Sequence, residues 1–520
     1  MNYFRPIWTC GRYNKKARVA IYYNLIEGMS YFYEYNSADV VSYILKSKKG
    51  EEVKVNKISG ALGISEDCII AFFNNLVLCG LLTKVPASNE FIQEYRIAAR
   101  DNKTQIARGS QIKMQEQSTV GNPDTAENEY AEKIDGISSV MFELTYNCSE
   151  MCLHCYNPGA TRNNEEKSFR GARQELDIDD YKRIIDELYD LGLSKVCLSG
   201  GDPFSKDIAW DIIDYLYQKD IAFDIFTNGQ RVYTLDCVRK IADYFPRIIG
   251  VSLYSDVPHV HDSITRIKGS HDKTIEFLEN CYSFGLSLNI KCCIMKPNVK
   301  TYGTVKNVAY KLGAVPQFDL NITDSLEGDK CASKLLRLSH KELEIVLRDK
   351  ELPYYISNGR IKSLSDLNVS STEKMCNAGF TSFCITPEGI LQPCCAYPLR
   401  LGDTKKHSIK HILKNSNELH WIRSKRIGDC IDCMKHDYCV FCQRCAGNNY
   451  NSNGTPLEAS ENNCYIAKER YELAKKMNSG YDPLCGKKIQ DCLDELDIVI
   501  NKMHRMESVN HRHNNGIKGV

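Results

Sequence analysis

Six short apolar segments alternate with amphipathic segments between residues 138 and 323. The apolar segments are rich in β-branched and aromatic residues, as strands are, and in chain order they are VMFELT, KVCLS, IAFDIFT, IIGVSLY, LNIKCCIM and FDLNIT. Between the first two, IDDYKRIIDELYDLG repeats apolar side chains at the spacing of one helix face. This alternation predicts an α/β fold of parallel β/α units, closed into a barrel or open as a sheet. In either form the functional site lies at the carboxyl ends of the strands.

The beginning of the chain has a different order of elements. The aromatic segment IYYNLIEGMSYFYEYN predicts a hairpin around its glycine. SADVVSYILKSK predicts a helix with a serine cap, and VNKISGALGISEDCIIAFFNNLVLCGLLT predicts helix, turn, longer helix and strand. Together they predict a winged-helix domain at residues 1–83. Its predicted core consists of Ile58, Leu62, Ile69, Phe72, Phe73 and Leu76.

Composition divides the rest of the chain. Residues 84–137 are polar and show little periodicity, so we expect a flexible linker before the β/α domain at 138–360. Residues 361–480 are rich in loops and cysteine, and metal clusters would stabilise such a domain in place of a large apolar core. The last segment, 481–520, holds one predicted helix, IQDCLDELDIVINKMHRM, and a polar tail.

Charge and hydropathy narrow the possible partners. The chain has 520 residues and a formal net charge of +1, which gives no reason to expect a nucleic-acid or membrane surface. It has no apolar run of about 18 residues, the minimum for a membrane helix. The start, MNYFRPIWTCGRYNKK, lacks the layout of a signal peptide, so we expect a cytoplasmic protein.

Cysteine is the residue that changes this picture. The chain has 24 cysteines, clustered at 148–155, 376–395 and 430–464. In a reducing cytoplasm such clusters indicate metal or iron–sulfur ligation rather than disulfides. The first cluster, CSEMCLHC, places Cys148, Cys152 and Cys155 directly after the first predicted strand. Zinc would require a fourth ligand that His154 is poorly placed to supply, and a thioredoxin-like pair would leave Cys148 unexplained.

Three cysteines in the pattern C-x3-C-x2-C, followed by strand-end motifs in a fixed order, resemble the radical S-adenosylmethionine (SAM) superfamily. LSGGDPF ends the second strand, FTNG the third and VSLYS the fourth, and HDSITRIKGS follows. The resemblance implies a partial (β/α)6 barrel whose three cysteines hold a 4Fe–4S cluster with one iron open to SAM. In that family a reduced cluster cleaves SAM to a 5′-deoxyadenosyl radical, which abstracts hydrogen from the substrate.

The resemblance also implies residues that contact SAM, while the sequence identifies no catalytic side chain. His154 stands at the family's aromatic position, and Asp202 replaces its usual glutamate. We expect the glycines to approach the SAM amino group, Ser252 the ribose and Arg266 the carboxylate. The full predicted set for SAM is His154, Gly200, Gly201, Asp202, Asn228, Ser252 and Arg266.

The later cysteines resemble a SPASM domain, which carries two auxiliary 4Fe–4S clusters. The resemblance assigns one cluster to Cys376, Cys384, Cys394 and a late cysteine. It assigns the other to Cys430, Cys433, Cys439 and Cys464. The family spacing for the late cysteine falls on Gln443, between Cys442 and Cys445; we prefer Cys442 and keep Cys445 as the alternative. A zinc ribbon made from Cys430, Cys433, Cys439 and Cys442 is the competing interpretation.

The N-terminal domain decides which kind of radical enzyme to expect. Its longer helix, EDCIIAFFNNLVLCG, has no Arg or Lys and would read DNA poorly. With the hairpin, it resembles the recognition element of enzymes that modify ribosomally made peptides, in which a leader peptide adds as a strand. A purely structural domain is the alternative.

This domain order resembles that of peptide maturases. We expect a radical SAM oxidoreductase that crosslinks a precursor peptide through a thioether or carbon–carbon bond, with flavodoxin or ferredoxin as the electron donor. A sulfatase-type maturase that oxidises Ser or Cys, and an iron–sulfur DNA-binding regulator, are the alternatives.

Overall fold

The predicted α/β class is confirmed by one large sheet whose central strands are parallel. The computed structural model describes residues 2–113, 123–157, 174–326, 330–357, 372–431 and 433–496. Strands are present for all six predicted segments between residues 138 and 323, although the last one begins three residues before the predicted FDLNIT and ends at Asp319. They are β4 (Ser139–Glu143), β5 (Lys195–Ser199), β6 (Ala222–Thr227), β7 (Ile248–Ser252), β8 (Leu288–Cys293) and β9 (Val315–Asp319).

Helices connect these strands and cover one face of the sheet. Val140 and Phe142 of β4, and Val196 and Leu198 of β5, are buried at every second position and belong to the same core as the helices. In the described part of the chain β9 lies at the edge of the sheet and does not pair with β4, so the strands do not close into a full barrel. The connecting helices are α6 (Ile178–Asp190), α7 (Ala209–Gln218), α8 (Leu235–Asp243), α9 (Pro258–Thr265), α10 (Ser270–Ser283) and α11 (Tyr302–Lys311).

The N-terminal unit has an antiparallel sheet of β1 (Thr9–Asn14), β2 (Val19–Asn24) and β3 (Met29–Glu34), in that order. On one face lie α1 (Tyr35–Lys46), α2 (Val55–Leu62) and α3 (Glu66–Leu78). Of the six predicted core residues, Ile58, Ile69, Phe73 and Leu76 are buried, whereas Leu62 and Phe72 are partly buried. The predicted final strand is reduced to a bridge between Thr83 and Phe4.

The flexible linker expected at residues 84–137 is wrong for the described residues, which form α4 (Asn89–Lys113) and α5 (Pro123–Lys133). Both helices are mostly polar, so average composition hides their few apolar contacts. Ile92 and Ala99 of α4 and Tyr130 of α5 are buried against the N-terminal sheet and the β/α domain. A helix held between two units needs only such a narrow apolar stripe.

The N-terminal unit packs against the amino ends of the parallel strands. Glu127 of α5 forms ion pairs with Lys195 and, at 3.2 Å, with Arg247. Arg247 in turn binds Asp224 through Nε and Nη2 at 2.9 and 2.6 Å. Asp220, just before β6, pairs with Arg5 and Lys49 at 2.7 and 3.2 Å. We call this amino-end set of charged residues the barrel floor.

The cysteine-rich region continues the same sheet. β10 (Ser382–Ile385) pairs in parallel with β4, and β11 (Ile390–Gln392) and β12 (Gly402–Asp403) follow in antiparallel order. Cys384 therefore lies level with Met141 of β4. The helices from residue 330 onward are α12 (Cys331–Leu336), α13 (His340–Val346), α14 (Ile409–Asn415), α15 (Asn417–Ser424), α16 (Ala446–Asn453), α17 (Glu461–Asn478) and α18 (Ile489–Asp494).

The predicted C-terminal helix begins as α18, and its later residues lie outside the described ranges. A search of the described helices finds none long and apolar enough to cross a membrane.

Candidate active site

The loop that carries Cys148, Cys152 and Cys155 leaves the carboxyl end of β4 and is held by α9. The amide of Met151 donates to the carbonyl of Thr265 at 2.9 Å, and that of Leu153 donates to Ile264 at 2.9 Å. These carbonyls belong to the last turn of a helix, where they have no partner within the helix itself. The helix end therefore fixes the backbone between the cysteines.

Two glycines allow the end of β5 to pass directly beneath this loop. Gly200 has a φ of +123°, and a Cβ placed on it would lie 2.3 Å from the carbonyl oxygen of Thr145. A Cβ on Gly201 would lie 2.3 Å from the carbonyl oxygen of Asn147. The amide of Gly201 donates to Thr145 at 2.7 Å. The glycine pair thus brings two strand ends together just before Cys148.

Asp202 joins the ends of β5 and β6. It is completely buried, and its Oδ2 accepts from Thr227 Oγ1 at 2.6 Å and from the Asn228 amide at 3.0 Å. Burial raises the pKa of Asp202 above its usual range. The structure places Asn228 against the first cysteine, since its Nδ2 lies 3.4 Å from Cys148 Sγ.

His154 and Tyr254 form an aromatic wall beside the second cysteine. Their rings meet edge to face with centroids 4.9 Å apart, and the Tyr254 hydroxyl lies 3.8 Å from Cys152 Sγ. Burial lowers the pKa of His154 to about 4, so its ring is neutral at physiological pH. Its Nδ1 is buried and has no hydrogen-bond partner among the described residues.

The remaining predicted SAM residues lie at the same carboxyl ends of the strands. We call these strand ends, together with the loop that carries Cys148, Cys152 and Cys155, the rim. Ser252 ends β7, and Arg266 follows Thr265 at the end of α9 with an exposed side chain and a φ of +60°. The structure therefore gathers all seven predicted SAM residues at the carboxyl ends of β4–β7, together with the three cysteines. Their individual contacts with SAM remain predictions.

Sequence reasoning missed Glu150, which lies inside the cysteine motif. Its side chain is buried, Cys152 Sγ lies 3.4 Å from its Oε2, and its Oε1 has no partner among the described residues. Burial raises the pKa of Glu150 to about 7. A glutamate between two cysteines of CSEMC was the available signal.

The donor set fits a cluster better than a single ion. Three thiols, a neutral His154 ring and the unpartnered oxygen of Glu150 surround one rim. Within the described ranges, no three His, Cys, Asp or Glu side chains converge as a single metal ion requires. A 4Fe–4S cluster is held by several separate thiolates, each of which binds its own iron, so the thiols need not converge.

The later cysteines separate into two groups. Burial raises the pKa of Cys376 and Cys394, and the nearby thiol of Cys445 adds to the effect on both. Burial also raises the pKa of Cys384, followed in effect by Glu143, Cys395 and Cys394. Cys376, Cys384, Cys394 and Cys445 therefore lie together with Cys395 close by, and we call these four, which include the three predicted ligands, the first thiol set.

The second thiol set lies around α17. The sulfur atoms of Cys430 and Cys433 are in direct contact, with their Cα atoms 5.2 Å apart. Burial raises the pKa of Cys442 to about 12, and the neighbouring thiols of Cys464 and Cys439 add to it. Cys442 thus lies with Cys439 and Cys464, and we group these three with the Cys430–Cys433 pair as the second thiol set. The structure therefore favours Cys445, rather than Cys442, as the late member of the first set.

Comparison with known proteins matches both cysteine regions. Residues 142–302 match the Radical SAM superfamily, and residues 376–446 match an iron–sulfur cluster-binding domain, SPASM. The antilisterial bacteriocin subtilosin biosynthesis protein AlbA of Bacillus subtilis is 25% identical over 59% of this chain and 66% of its own length. AdoMet-dependent heme synthase of Methanosarcina barkeri is 24% identical over 61% of this chain and 94% of its own length.

Among the solved structures that match is Streptococcus suis SuiB bound to precursor peptide SuiA. It has a TM-score of 0.52 and 13% identity, and the match covers 89% of this chain and 100% of that one. At this identity the match shows the shared fold. Residues 142–302 therefore belong to the radical SAM superfamily, and residues 376–446 form an iron–sulfur cluster-binding SPASM domain.

Proposed function

We propose that this chain is a radical SAM enzyme that installs a thioether or carbon–carbon crosslink in a ribosomally made precursor peptide. The carrying observation is the continuous sheet that joins the three-thiol rim to the strand bearing Cys384. AlbA takes part in the biosynthesis of a bacteriocin, and SuiB binds a precursor peptide, which supports a peptide substrate.

The rim residues would prepare the site for SAM. When bound, a reduced 4Fe–4S cluster supplies the electron that cleaves SAM to methionine and a 5′-deoxyadenosyl radical. Cys148, Cys152 and Cys155 would hold that cluster, and α9 keeps their loop in position. The rings of His154 and Tyr254 would exclude water on one side, while Asp202 and the glycine pair fix the neighbouring strand ends.

We assign one auxiliary cluster to the first thiol set, with Cys445 as its fourth ligand, and the other to Cys430, Cys433, Cys439 and Cys464. Cys395 and Cys442 remain as neighbouring thiols. A test compares iron content after Cys445→Ala and Cys442→Ala. We expect Cys445→Ala to lose about a third of the iron, one of three four-iron clusters, and Cys442→Ala to keep it. The reverse result would exchange the two assignments.

The auxiliary clusters would remove the second electron of the crosslinking reaction or bind the thiolate of the peptide. Replacing Cys376 or Cys430 with Ala, singly and together, tests this role. If crosslinking continues unchanged in protein that lacks both auxiliary clusters, the role is wrong.

The leader of the peptide would bind along β3, which forms one edge of the N-terminal sheet. A strand added there would receive backbone hydrogen bonds and lie beside α3. The junction of the two elements is aromatic: the rings of Tyr33 and Phe72 meet edge to face with centroids 5.6 Å apart. Because α4 and α5 connect this unit to the β/α domain, a bound leader would keep the core peptide near the rim.

An external one-electron donor such as flavodoxin or ferredoxin would reduce the first cluster. The function is tested by co-expressing the protein with a candidate precursor peptide, for example any small peptide encoded beside its gene, followed by mass spectrometry. Each crosslink should remove two hydrogen atoms from the peptide, and the purified protein with SAM and dithionite should release 5′-deoxyadenosine. An unmodified peptide with active SAM cleavage would contradict the peptide assignment alone.

A tetrapyrrole substrate is the second candidate, because the alignment with heme synthase spans 94% of that enzyme. The same alignment covers 61% of this chain, so a tetrapyrrole substrate leaves the remaining 39% without an explanation. The two substrates are separated by incubating the reduced protein with SAM and either the peptide or an iron porphyrin. Substrate-dependent 5′-deoxyadenosine release identifies the right class.

A further inference from the structure

The two thiol sets lie in different electrostatic surroundings. Beside the first set, the buried carboxyl group of Glu143 lies near Cys384. Burial is the main cause that raises the pKa of Cys384, and Glu143 is the second. Beside the second set lie two guanidinium groups, those of Arg444 and Arg470, which both act on Cys442. Neither arginine forms an ion pair with a carboxylate in the described part of the chain that would neutralise its charge locally.

Arg470 is held against the second set by contacts on three sides. It lies on α17, the helix that also carries Cys464, and its Nη1 donates to the carbonyl of Phe441 at 2.9 Å. Its guanidinium lies over the rings of Phe441 and Tyr354, at 5.0 and 5.7 Å from their centroids. Phe441 directly precedes Cys442, so these contacts keep the positive charge beside that thiol, which in turn neighbours the proposed ligands Cys439 and Cys464.

One polar atom of Arg470 is left over. Its Nε is buried and has no hydrogen-bond partner among the described residues. A buried N–H without an acceptor is costly, and the sulfur of a bound cluster would be an acceptor for it. The orphaned donor and the fixed charge both favour a group that becomes more negative on reduction.

We propose that Arg470 sets the reduction potential of the auxiliary cluster held by Cys430, Cys433, Cys439 and Cys464. Reduction adds one negative charge, which a nearby guanidinium stabilises, whereas Glu143 opposes the same change at the first set. The second set then holds the more easily reduced auxiliary cluster. An electron that reaches it leaves to an external one-electron acceptor of the flavodoxin or ferredoxin class, and no bond or proton moves. The inference rests on the auxiliary ligand sets of the proposed function.

The test is an EPR-monitored redox titration of the reconstituted full-length protein. Arg470→Met removes the charge and the donors but keeps the length of the stem. We expect the midpoint of one auxiliary signal to fall, so that its reduced-to-oxidised ratio at a fixed potential drops about tenfold, equivalent to about 59 mV for one electron. The signal that moves should be the one that Cys464→Ala abolishes.

Two further variants separate charge from structure. Lys468→Met removes one charge from an exposed position on the same helix and should leave every midpoint unchanged, because water screens it. Arg470→Lys keeps the charge and should recover most of the shift. If Arg470→Met binds less iron, Arg470→Gln repeats the measurement with an amide that can still donate to Phe441.

An unchanged midpoint in either uncharged variant at full iron content would overturn the proposal. Loss of the cluster in both variants would overturn it as well, because Arg470 would then build the site rather than tune it. Wild-type protein with iron at the Cys148 loop alone would instead contradict the auxiliary clusters of the proposed function.

Discussion

At the barrel floor, Glu127, Asp220 and Asp224 each form an ion pair with an arginine or lysine. At the opposite, carboxyl end, Glu143, Glu150 and Asp202 are buried, whereas Glu127 and Asp220 at the floor are only partly buried. Nevertheless, none of the three carboxyl-end groups has a cationic partner in the described ranges. Burial raises the pKa of Glu143 and Glu150 to about 7 and also raises that of Asp202. The two ends of one sheet therefore treat the same chemical group in opposite ways.

The difference separates stability from function. A carboxylate that is paired with a cation of the protein itself, as at the floor, has its charge neutralised and needs no ligand. Carboxyl groups without a protein cation can meet a positively charged ligand, and SAM carries both a sulfonium and an ammonium group. Polar groups that the fold leaves unsatisfied mark functional sites more often than structural ones, and in β/α barrels these lie at the carboxyl end.

The largest expected effect comes from the rim. Cys152→Ala removes one of three proposed cluster ligands, so we expect 5′-deoxyadenosine release to disappear. The fold should persist, because the loop is held by backbone hydrogen bonds to α9 rather than by the thiol. Chromatography of the reaction products and circular dichroism measure the two properties.

Cys485→Ala is the matched control, since that thiol is exposed and belongs to neither thiol set. It should retain full activity. Normal SAM cleavage by Cys152→Ala would show that the rim cysteines are not the cluster ligands. It would also remove the functional difference between the rim and the floor.

The opposite result is expected at the floor. Arg247→Met leaves the buried carboxylate of Asp224 without its cation, whereas Glu127 keeps its ion pair with Lys195. Breaking such a buried pair costs about 3–5 kcal/mol in the free energy of unfolding. Urea unfolding of the purified protein measures it, and SAM cleavage by the folded fraction should remain.

Arg239→Met provides the comparison at the surface, because Arg239 pairs with Asp236 while 57% of its side chain is exposed. It should change the free energy of unfolding by less than about 1 kcal/mol. Equal effects of the two substitutions would mean that the floor pairs contribute nothing beyond exposed ones.

The sequence predicted the parallel strands and the rim because alternating apolar segments and strand-end motifs are local signals. It placed Gly200, Asp202 and Asn228 at successive strand ends, where the structure has them. It missed α4 and α5. Their apolar residues are few, and they are buried only because the N-terminal sheet and the β/α domain pack on either side of the two helices.

Long-range pairing explains what else was missed. No local pattern connects Met151 with Thr265, which lie 114 positions apart and share a hydrogen bond. Spacing alone likewise could not separate Cys442 from Cys445, because both flank the expected position. The fold separates them, since the segment between them passes from one thiol set to the other.

A smaller effect concerns the support behind the rim. His261 of α9 is completely buried; its Nδ1 accepts from the Tyr254 amide at 3.2 Å, and its Nε2 has no partner among the described residues. Burial lowers its pKa to about 4, His271 lowers it further, and Asp262 opposes the change. The unfolded chain therefore takes up this proton more readily than the folded one between pH 6.5 and pH 4.

The neutral ring consequently adds stability that is fully present above pH 6.5 and is lost as the pH falls toward 4. The loss amounts to at most about 3 kcal/mol. His261→Gln keeps an acceptor for the Tyr254 amide but does not titrate, so its unfolding free energy should vary less across this window. Urea unfolding at several pH values measures both proteins, and parallel curves would assign the pH dependence to other groups.

The smallest effect tests whether the N-terminal unit, which supports the floor on one side, also binds the leader on the other. Leu78 at the end of α3 is 85% exposed and precedes Cys79, whose thiol is hydrogen-bonded to Tyr31 of β3. Burying one such side chain under a bound peptide contributes about 1.5 kcal/mol, or roughly tenfold in affinity. Leu78→Glu should therefore weaken binding of a fluorescent leader peptide about tenfold, as measured by fluorescence anisotropy.

The control is Leu235→Glu, at an apolar position on α8 that is 47% exposed, and it should leave binding unchanged. Equal affinity in both variants would leave the unit with its structural role at the floor and move the leader to another surface.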